Sequence, residues 1–256
     1  MLLVFANRHE LVELAGSHPI NHMVELGVYE GEFSEHCYKA LDLKRYTLVD
    51  FWDYDEYSFV LEDAPQMRGL RAVYNQYFHN DPKQALSAAY EKTRGRFAEK
   101  HDVEILKMDI AKAADRFVDG SLDFIYLDGN HTYEFVLRDL YTWFPKLRPG
   151  GLFACNDFFE SSGAALQNIG VIPAFLTFSK RYNTYPIALT SSDWSDFYFS
   201  NAPTSDLIAH FKAMIYGSPF PVAEVPDELL GDYHHELIQQ PGQAARLIPS
   251  FGFRRG

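Results

Sequence analysis

The chain has 256 residues, 47% of them apolar and 16% aromatic, enough to bury one large core with extensions. A formal net charge of -12, with no Lys/Arg stripe to offset it, repels phosphate backbones and argues against a nucleic-acid partner. Cys37 and Cys155 are too few for a disulfide framework, the opening MLLVF lacks the make-up of a signal peptide, and no apolar run nears the ~18 residues of a membrane span.

These features predict a reduced, cytoplasmic, non-membrane protein. Short apolar runs then alternate with helix-period segments, the pattern of βαβ units and a parallel sheet, so the fold class is α/β and doubly wound. A helix is predicted from Arg8 to Ala15 and a strand from His22 to Leu26. A glycine turn follows, then a helix with Phe33, Cys37, Ala40 and Leu41 on one face. Further strands are RYTLVD, VEILKMD, LDFIYLD and GGLFACND, ending on Asp50, Asp109, Asp128 and Asp157. Between the last two, Val136, Leu140, Trp143, Phe144 and Leu147 repeat at helical spacing until Pro149-Gly150-Gly151. A helix over Ala164 to Ser179 and strands at Tyr185 to Thr190 and Asp196 to Ser200 complete the series, the last two as an antiparallel edge hairpin. Residues 1–202 are read as one domain. The aromatic and acidic stretch 51–80 is an insertion, a lid or a dimer surface, and 203–256 is an extension packed on or beside the domain.

Ligands of an open parallel sheet bind beyond the carboxyl ends of its strands, so the carboxylates gathered there are candidate contacts. The turn Glu25-Leu26-Gly27-Val28-Tyr29-Glu30-Gly31 has glycines at G-x-x-x-G spacing, not G-x-G-x-x-G, and carries acids that repel a pyrophosphate. A ligand with an amino group and no phosphate suits it better, which favours S-adenosylmethionine over NAD.

The segments VELGVYEGEFS, VDFWD and DFIYLDGNHTYEFVLRDLYTWFPKLRPGGLFACNDF resemble the class I methyltransferases. Within these they are similar to the macrolide-sugar O-methyltransferases of the macrocin and mycinamicin type, over roughly Met23 to Phe199, with DGNHTY and LRPGG the most specific part. The resemblance implies a Rossmann-like, mostly parallel seven-stranded sheet and S-adenosylmethionine as cofactor. It implies that Glu25, Gly27 and Gly31 shape the pocket for the methionine part, with Tyr29 lining it. Asp50 would take the ribose hydroxyls, Trp52 would lie near the adenine, and Asp109 or its neighbouring amide would lie near the adenine amino group. The alternative for Asp50 and Asp109 is that they cap the loops they begin.

Asp128, Asn156 and Asp157 would converge on one hard cation, with Mg²⁺ the expected ion, if the fourth and fifth strands are neighbours. Otherwise Asp128 touches the cofactor or a helix N-terminus, and Asn156 caps a turn. His131, three residues after Asp128, matches the catalytic His of the mycinamicin-type relatives. Asn130 stands where some relatives carry a carboxylate base, which leaves His131 as base, or no dedicated base. His131 can equally serve the following helix structurally. His234-His235-Glu236 reads as a polar tail segment, since adjacent side chains diverge.

The expected function is methyl transfer to a hydroxyl of a small molecule or sugar, assisted by Mg²⁺, with a homo-oligomer possible. The alternatives are metal-independent transfer to nitrogen or oxygen, a non-catalytic cofactor-binding protein, and a nicotinamide-dependent dehydrogenase.

Overall fold

The computed structural model describes residues 1–53, 72, 75–78, 81–239, 242, 244 and 246–252. Its main sheet is built from β1 (Leu2–Val4), β2 (Met23–Leu26), β3 (Tyr46–Asp50), β4 (Val103–Lys107), β5 (Leu122–Leu127), β6 (Leu147–Cys155), β7 (Tyr185–Thr190), β8 (Phe197–Ser200) and β9 (Val222–Glu224). The order is β4-β3-β2-β5-β6-β8-β7-β1-β9. β4, β3, β2, β5 and β6 are mutually parallel, and β8 runs antiparallel to both neighbours. A separate two-stranded sheet joins β10 (His234–Ile238) to β11 (Arg246–Ser250).

Side-chain alternation explains why β5 lies at the centre. Phe124 and Tyr126 enter one core with Leu11, Cys37, Leu207 and Phe211, while Ile125 and Leu127 enter the other with Val136, Trp143 and Phe178. A strand buried on both faces must be apolar throughout, and LDFIYL is nearly so. The first core is covered by α1 (Arg8–Glu13), α2 (Glu32–Ala40), α3 (Pro82–Phe97) and α8 (Asp206–Gly217). The second is covered by α4 (Ile110–Ala113), α5 (Tyr133–Trp143), α6 (Ser162–Leu166) and α7 (Val171–Ser179). Helices on both faces make the sheet doubly wound.

The sheet departs from the expected seven strands. β1 pairs parallel with β7, and β9 pairs antiparallel with β1, so nine strands are joined and the β7–β8 hairpin lies inside the sheet. Both added strands have three residues, too short for alternation to register. The helix expected to end at Ala15 stops at Glu13. The one expected over Ala164 to Ser179 is two, α6 and α7, meeting near Gly170, where a Cβ would lie 2.7 Å from the Tyr133 backbone nitrogen. Beyond residue 202, α8 contributes Leu207, Ile208, Phe211 and Ile215 to the first core.

His234 and His235 are both buried, not part of a polar tail. Their side chains do diverge: His234 Nδ1 lies 2.7 Å from the Asp232 carbonyl, and His235 Nε2 lies 3.0 Å from the Tyr233 hydroxyl. Cys37 and Cys155 are free and buried. Among the described residues no helix is long and apolar enough to cross a membrane.

Candidate active site

The chain leaves β2 toward one side of the sheet and β5 toward the other, so a crevice opens where their ends, Leu26 and Leu127, pair. Gly27 is required there. Its φ is +90°, and a Cβ would lie 2.0 Å from the Asp128 carbonyl oxygen. Tyr29, Trp52 and Asp157 also hold positive φ, three of the four such non-glycine residues among those described. Unfavourable backbone gathered at strand ends marks a site that the surrounding fold holds in place.

Asp50 ties this turn together. Its Oδ2 accepts the N–H groups of Val28 at 2.8 Å and Tyr29 at 2.9 Å, and Oδ1 accepts that of Trp52 at 3.1 Å. Burial raises its carboxyl and the amide hydrogen bonds oppose the rise. Asp50 therefore caps its loop while still lining the cavity. Glu25 is fully buried, bonded by the Ser34 hydroxyl at 2.9 Å and by the Tyr46 hydroxyl. Burial pushes its carboxyl up to about 8 against those two hydrogen bonds, so at neutral pH Glu25 is mostly neutral. Repulsion of a pyrophosphate by its charge, expected from the sequence, loses force.

Two expected cofactor contacts are displaced. Trp52 is 2% exposed, donates its indole N–H to the Tyr29 carbonyl at 2.6 Å and packs on Tyr90; it supports the turn from beneath and is not among the cavity-lining residues. Asp109 caps α4 by accepting the Lys112 N–H at 2.9 Å, and its neighbour Ile110 reaches the cavity instead. Gly31 begins α2 in the left-handed region at φ 72°, and Tyr29 lines the cavity beside Tyr77 and Phe78.

Beyond the turn, Asp128, His131 and Asp157 form a chain. His131 Nε2 lies 3.3 Å from Asp128 Oδ1, and Nδ1 lies 3.1 Å from Asp157 Oδ2. Burial alone would lower the imidazole, but Asp157 and Asp128 outweigh it and raise His131 to about 9. In the ligand-free protein His131 is therefore an imidazolium at neutral pH and accepts a proton only under alkaline conditions.

A residue not singled out from the sequence completes the chain. The Arg8 guanidinium donates to Asp128 Oδ2 at 2.8 Å and lies 4.6 Å above the Phe33 ring. In the sequence Arg8 is only the start of α1, whose N-cap Asn7 forms a capping box with Glu10; nothing local shows that it crosses to a partner 120 positions away. Asp196, also unforeseen, is fully buried and bonded by Tyr126 at 2.8 Å and by Asn156 Nδ2 at 2.8 Å.

This arrangement does not fit the expected Mg²⁺ site. The Asp128 carboxylate faces Arg8 on one oxygen and His131 on the other, and Asp157 Oδ2 faces His131 as well; Asn156 gives its NH₂ to Asp196, which leaves its Oδ1 uncommitted. A hard divalent ion needs several oxygens turned to one point, and here the Arg8 guanidinium and the His131 ring face the Asp128 oxygens. Among the described residues no group of three or more His, Cys, Asp or Glu side chains is gathered for a metal.

The cavity over these groups has a volume of about 1000 Å³ and extends from Asp50 past Asp128 to Trp194. That lies at the upper end of small-molecule sites, enough for a nucleoside cofactor and an acceptor together. Trp194 is 50% exposed, edge-on to Phe159, at the end formed by the β7–β8 loop. The expected lid residues Tyr54, Asp55, Glu56, Tyr57, Glu62 and Asp63 lie outside the described residues.

A family model described as a methyltransferase domain matches residues 24–158, more than half of the chain. The chain belongs to this methyltransferase-domain family. Solved structures share its fold. The N-methyltransferase NodS from Bradyrhizobium japonicum WM9 is 14% identical with a TM-score of 0.51, covering 76% of this chain and 94% of that one. The NodS complex with S-adenosylhomocysteine is 14% identical, with a TM-score of 0.50 over 76% and 85%. Spermidine synthase from Thermotoga maritima is 15% identical with a TM-score of 0.48 over 79% of this chain, which spans 61% of that protein's length. No curated protein matches the sequence. The Arg8 segment precedes the matched region, so the family pattern does not supply the cation at Asp128.

Proposed function

We propose that this methyltransferase moves the methyl group of S-adenosylmethionine to a hydroxyl of a small molecule or sugar-bearing compound, in the cytoplasm and without bound Mg²⁺. The observation that carries the reading is the Arg8–Asp128–His131–Asp157 chain lining one cavity with the glycine turn. The cofactor supplies an electrophilic methyl group when bound. Gly27 and Gly31 let the backbone come close to it, Glu25 and Tyr29 face its methionine part, and Asp50 Oδ1, less fully bonded than Oδ2, receives a ribose hydroxyl. Arg8 holds Asp128 in place and offers further N–H donors to the acceptor oxygen. His131, held between two carboxylates, takes the hydroxyl proton once it has lost its own. Trp194 offers a flat apolar face for an acceptor ring, in keeping with the resemblance to sugar O-methyltransferases.

Transfer of a labelled methyl group to a panel of hydroxylated acceptors, in EDTA and in Mg²⁺, tests the reading. Turnover that EDTA leaves unchanged is expected; turnover seen only with Mg²⁺ would overturn the metal-free account. With an acceptor in hand, Arg8→Ala should lower turnover about hundredfold, a loss of ~2.7 kcal/mol, while S-adenosylhomocysteine affinity changes less than about threefold. The wild-type rate should rise with pH toward about 9, since the base must be deprotonated and its folded pKa sits there. His131→Gln should remove that limb, and a limb that survives the substitution would assign the proton to another group.

A further inference from the structure

Besides His131 Nε2, which faces Asp128, two polar atoms of cavity-lining residues are buried with no hydrogen-bond partner among the described residues. One is Asp139 Oδ2. Asp139 is 0% exposed and projects from α5; its Oδ1 accepts Arg138 Nε at 2.8 Å, and Oδ2 is left over. The other is Asn130 Nδ2. The Oδ1 of Asn130 accepts the Thr132 N–H at 2.9 Å, which sets the side-chain amide with its NH₂ unspent. Each orphaned buried group costs ~1–3 kcal/mol unless a ligand completes it, so two on one cavity form a demand for a specific partner.

That partner must offer a donor to Asp139 and an acceptor to Asn130. Ile110 and Phe135 line the cavity as well and provide apolar surface for a flat ring. The residue expected at an adenine amino group, Asp109, is spent on the α4 N-cap and on Arg138, which lies 3.4 Å from its Oδ2. Arg138 thus spans the two carboxylates and holds Asp139 through Oδ1 alone.

We infer that Asp139 and Asn130 read the edge of the cofactor's adenine, Asp139 Oδ2 accepting from the 6-amino group and Asn130 Nδ2 donating to a ring nitrogen. The inference rests on S-adenosylmethionine being the cofactor. It makes the ionised Asp139 the residue that distinguishes adenine from a 6-oxo purine, because a carboxylate facing a carbonyl oxygen is left unpaired and repelled; burial pushes its carboxyl up to about 7 against Arg138, so the comparison is made above about pH 8.

The test is calorimetric titration of the full chain with S-adenosylhomocysteine and with S-inosylhomocysteine, which carries a 6-oxo group. Wild type should bind the adenosyl compound at least about a hundredfold more tightly. Asp139→Asn, whose amide donates to a 6-oxo group, should weaken the adenosyl compound at least about tenfold and tighten the inosyl compound. A merely structural role would weaken both alike, and that result overturns the inference. Equal affinity of wild type for the two compounds overturns it without any variant. Binding of neither would remove the cofactor reading itself, a different failure from loss of discrimination.

Discussion

Gly27→Ala is expected to destabilise the protein by about 3 kcal/mol or more and to weaken S-adenosylhomocysteine binding more than about a hundredfold. Two costs add. The backbone at φ +90° is one that L residues rarely adopt, and the new Cβ would lie 2.0 Å from the Asp128 carbonyl oxygen and 2.7 Å from Gly129 Cα. Neither obstacle is a flexible side chain, so the turn and the β5 end must separate, and the cavity is built on their closeness. Gly95→Ala is the control. Gly95 sits exposed within α3, and a Cβ there would meet nothing within 4 Å, so this change should stabilise by ~0.5–1 kcal/mol. Denaturant melts of the two variants with S-adenosylhomocysteine titrations check both expectations. A Gly27→Ala protein as stable and as tightly binding as wild type would show that the close approach is not required.

Glu25 sets the second large effect. Its folded pKa, about 8, lies above the ordinary 4.5, so the native state holds a proton that the unfolded chain releases. The stability this contributes is fully present below about pH 4.5 and is lost as pH rises through about 8. A shift of this size corresponds to ~5 kcal/mol across the window for a carboxyl with 1% exposure. Glu25→Gln keeps an uncharged group between Ser34 and Tyr46. It should match wild type near pH 4.5 and exceed it by a few kcal/mol near pH 9, flattening the fall. Chemical denaturation at a series of pH values measures this. Parallel curves for the two proteins would mean that Glu25 is ionised in the folded state.

Much of the fold is legible in the sequence because the central strands are buried on both faces. Runs such as LDFIYL and YTLVD are apolar enough to stand out, and four of the five parallel strands run out at or just before an Asp at the crevice. The edge is less legible. β1 and β9 have three residues each and owe their place to pairing with distant partners, Leu3 with Leu189 and with Ala223. Local propensity carries no trace of such pairing.

The site divides along the same line. Gly27, Asp50, Asp128 and His131 follow from strand ends and turn chemistry, and all four meet at the cavity. Their roles depend on neighbours that sequence spacing does not show. Asp109 is open to two uses in the sequence, and the start of α4 takes it. Asn156 and Asp128 match a metal-ligand pattern, but Asp196, forty positions on from Asn156, takes its NH₂, and Arg8 takes one oxygen of Asp128. Arg8 enters from before the matched domain and sets a fixed positive charge against Asp128. Asp139 sits on a helix face whose spacing reads as packing, and only the absence of a partner on Oδ2 among the described residues distinguishes it.

Isothermal titration of S-adenosylhomocysteine into the full chain, once in Mg²⁺ and once in EDTA, tests the central claim most directly. A single site of equal affinity under both conditions is the result predicted by the proposed function, in which the glycine turn and Asp50 hold the cofactor and Arg8, not a metal, pairs with Asp128. Absence of binding under both conditions would contradict the account and return the turn at Gly27 to a purely structural role.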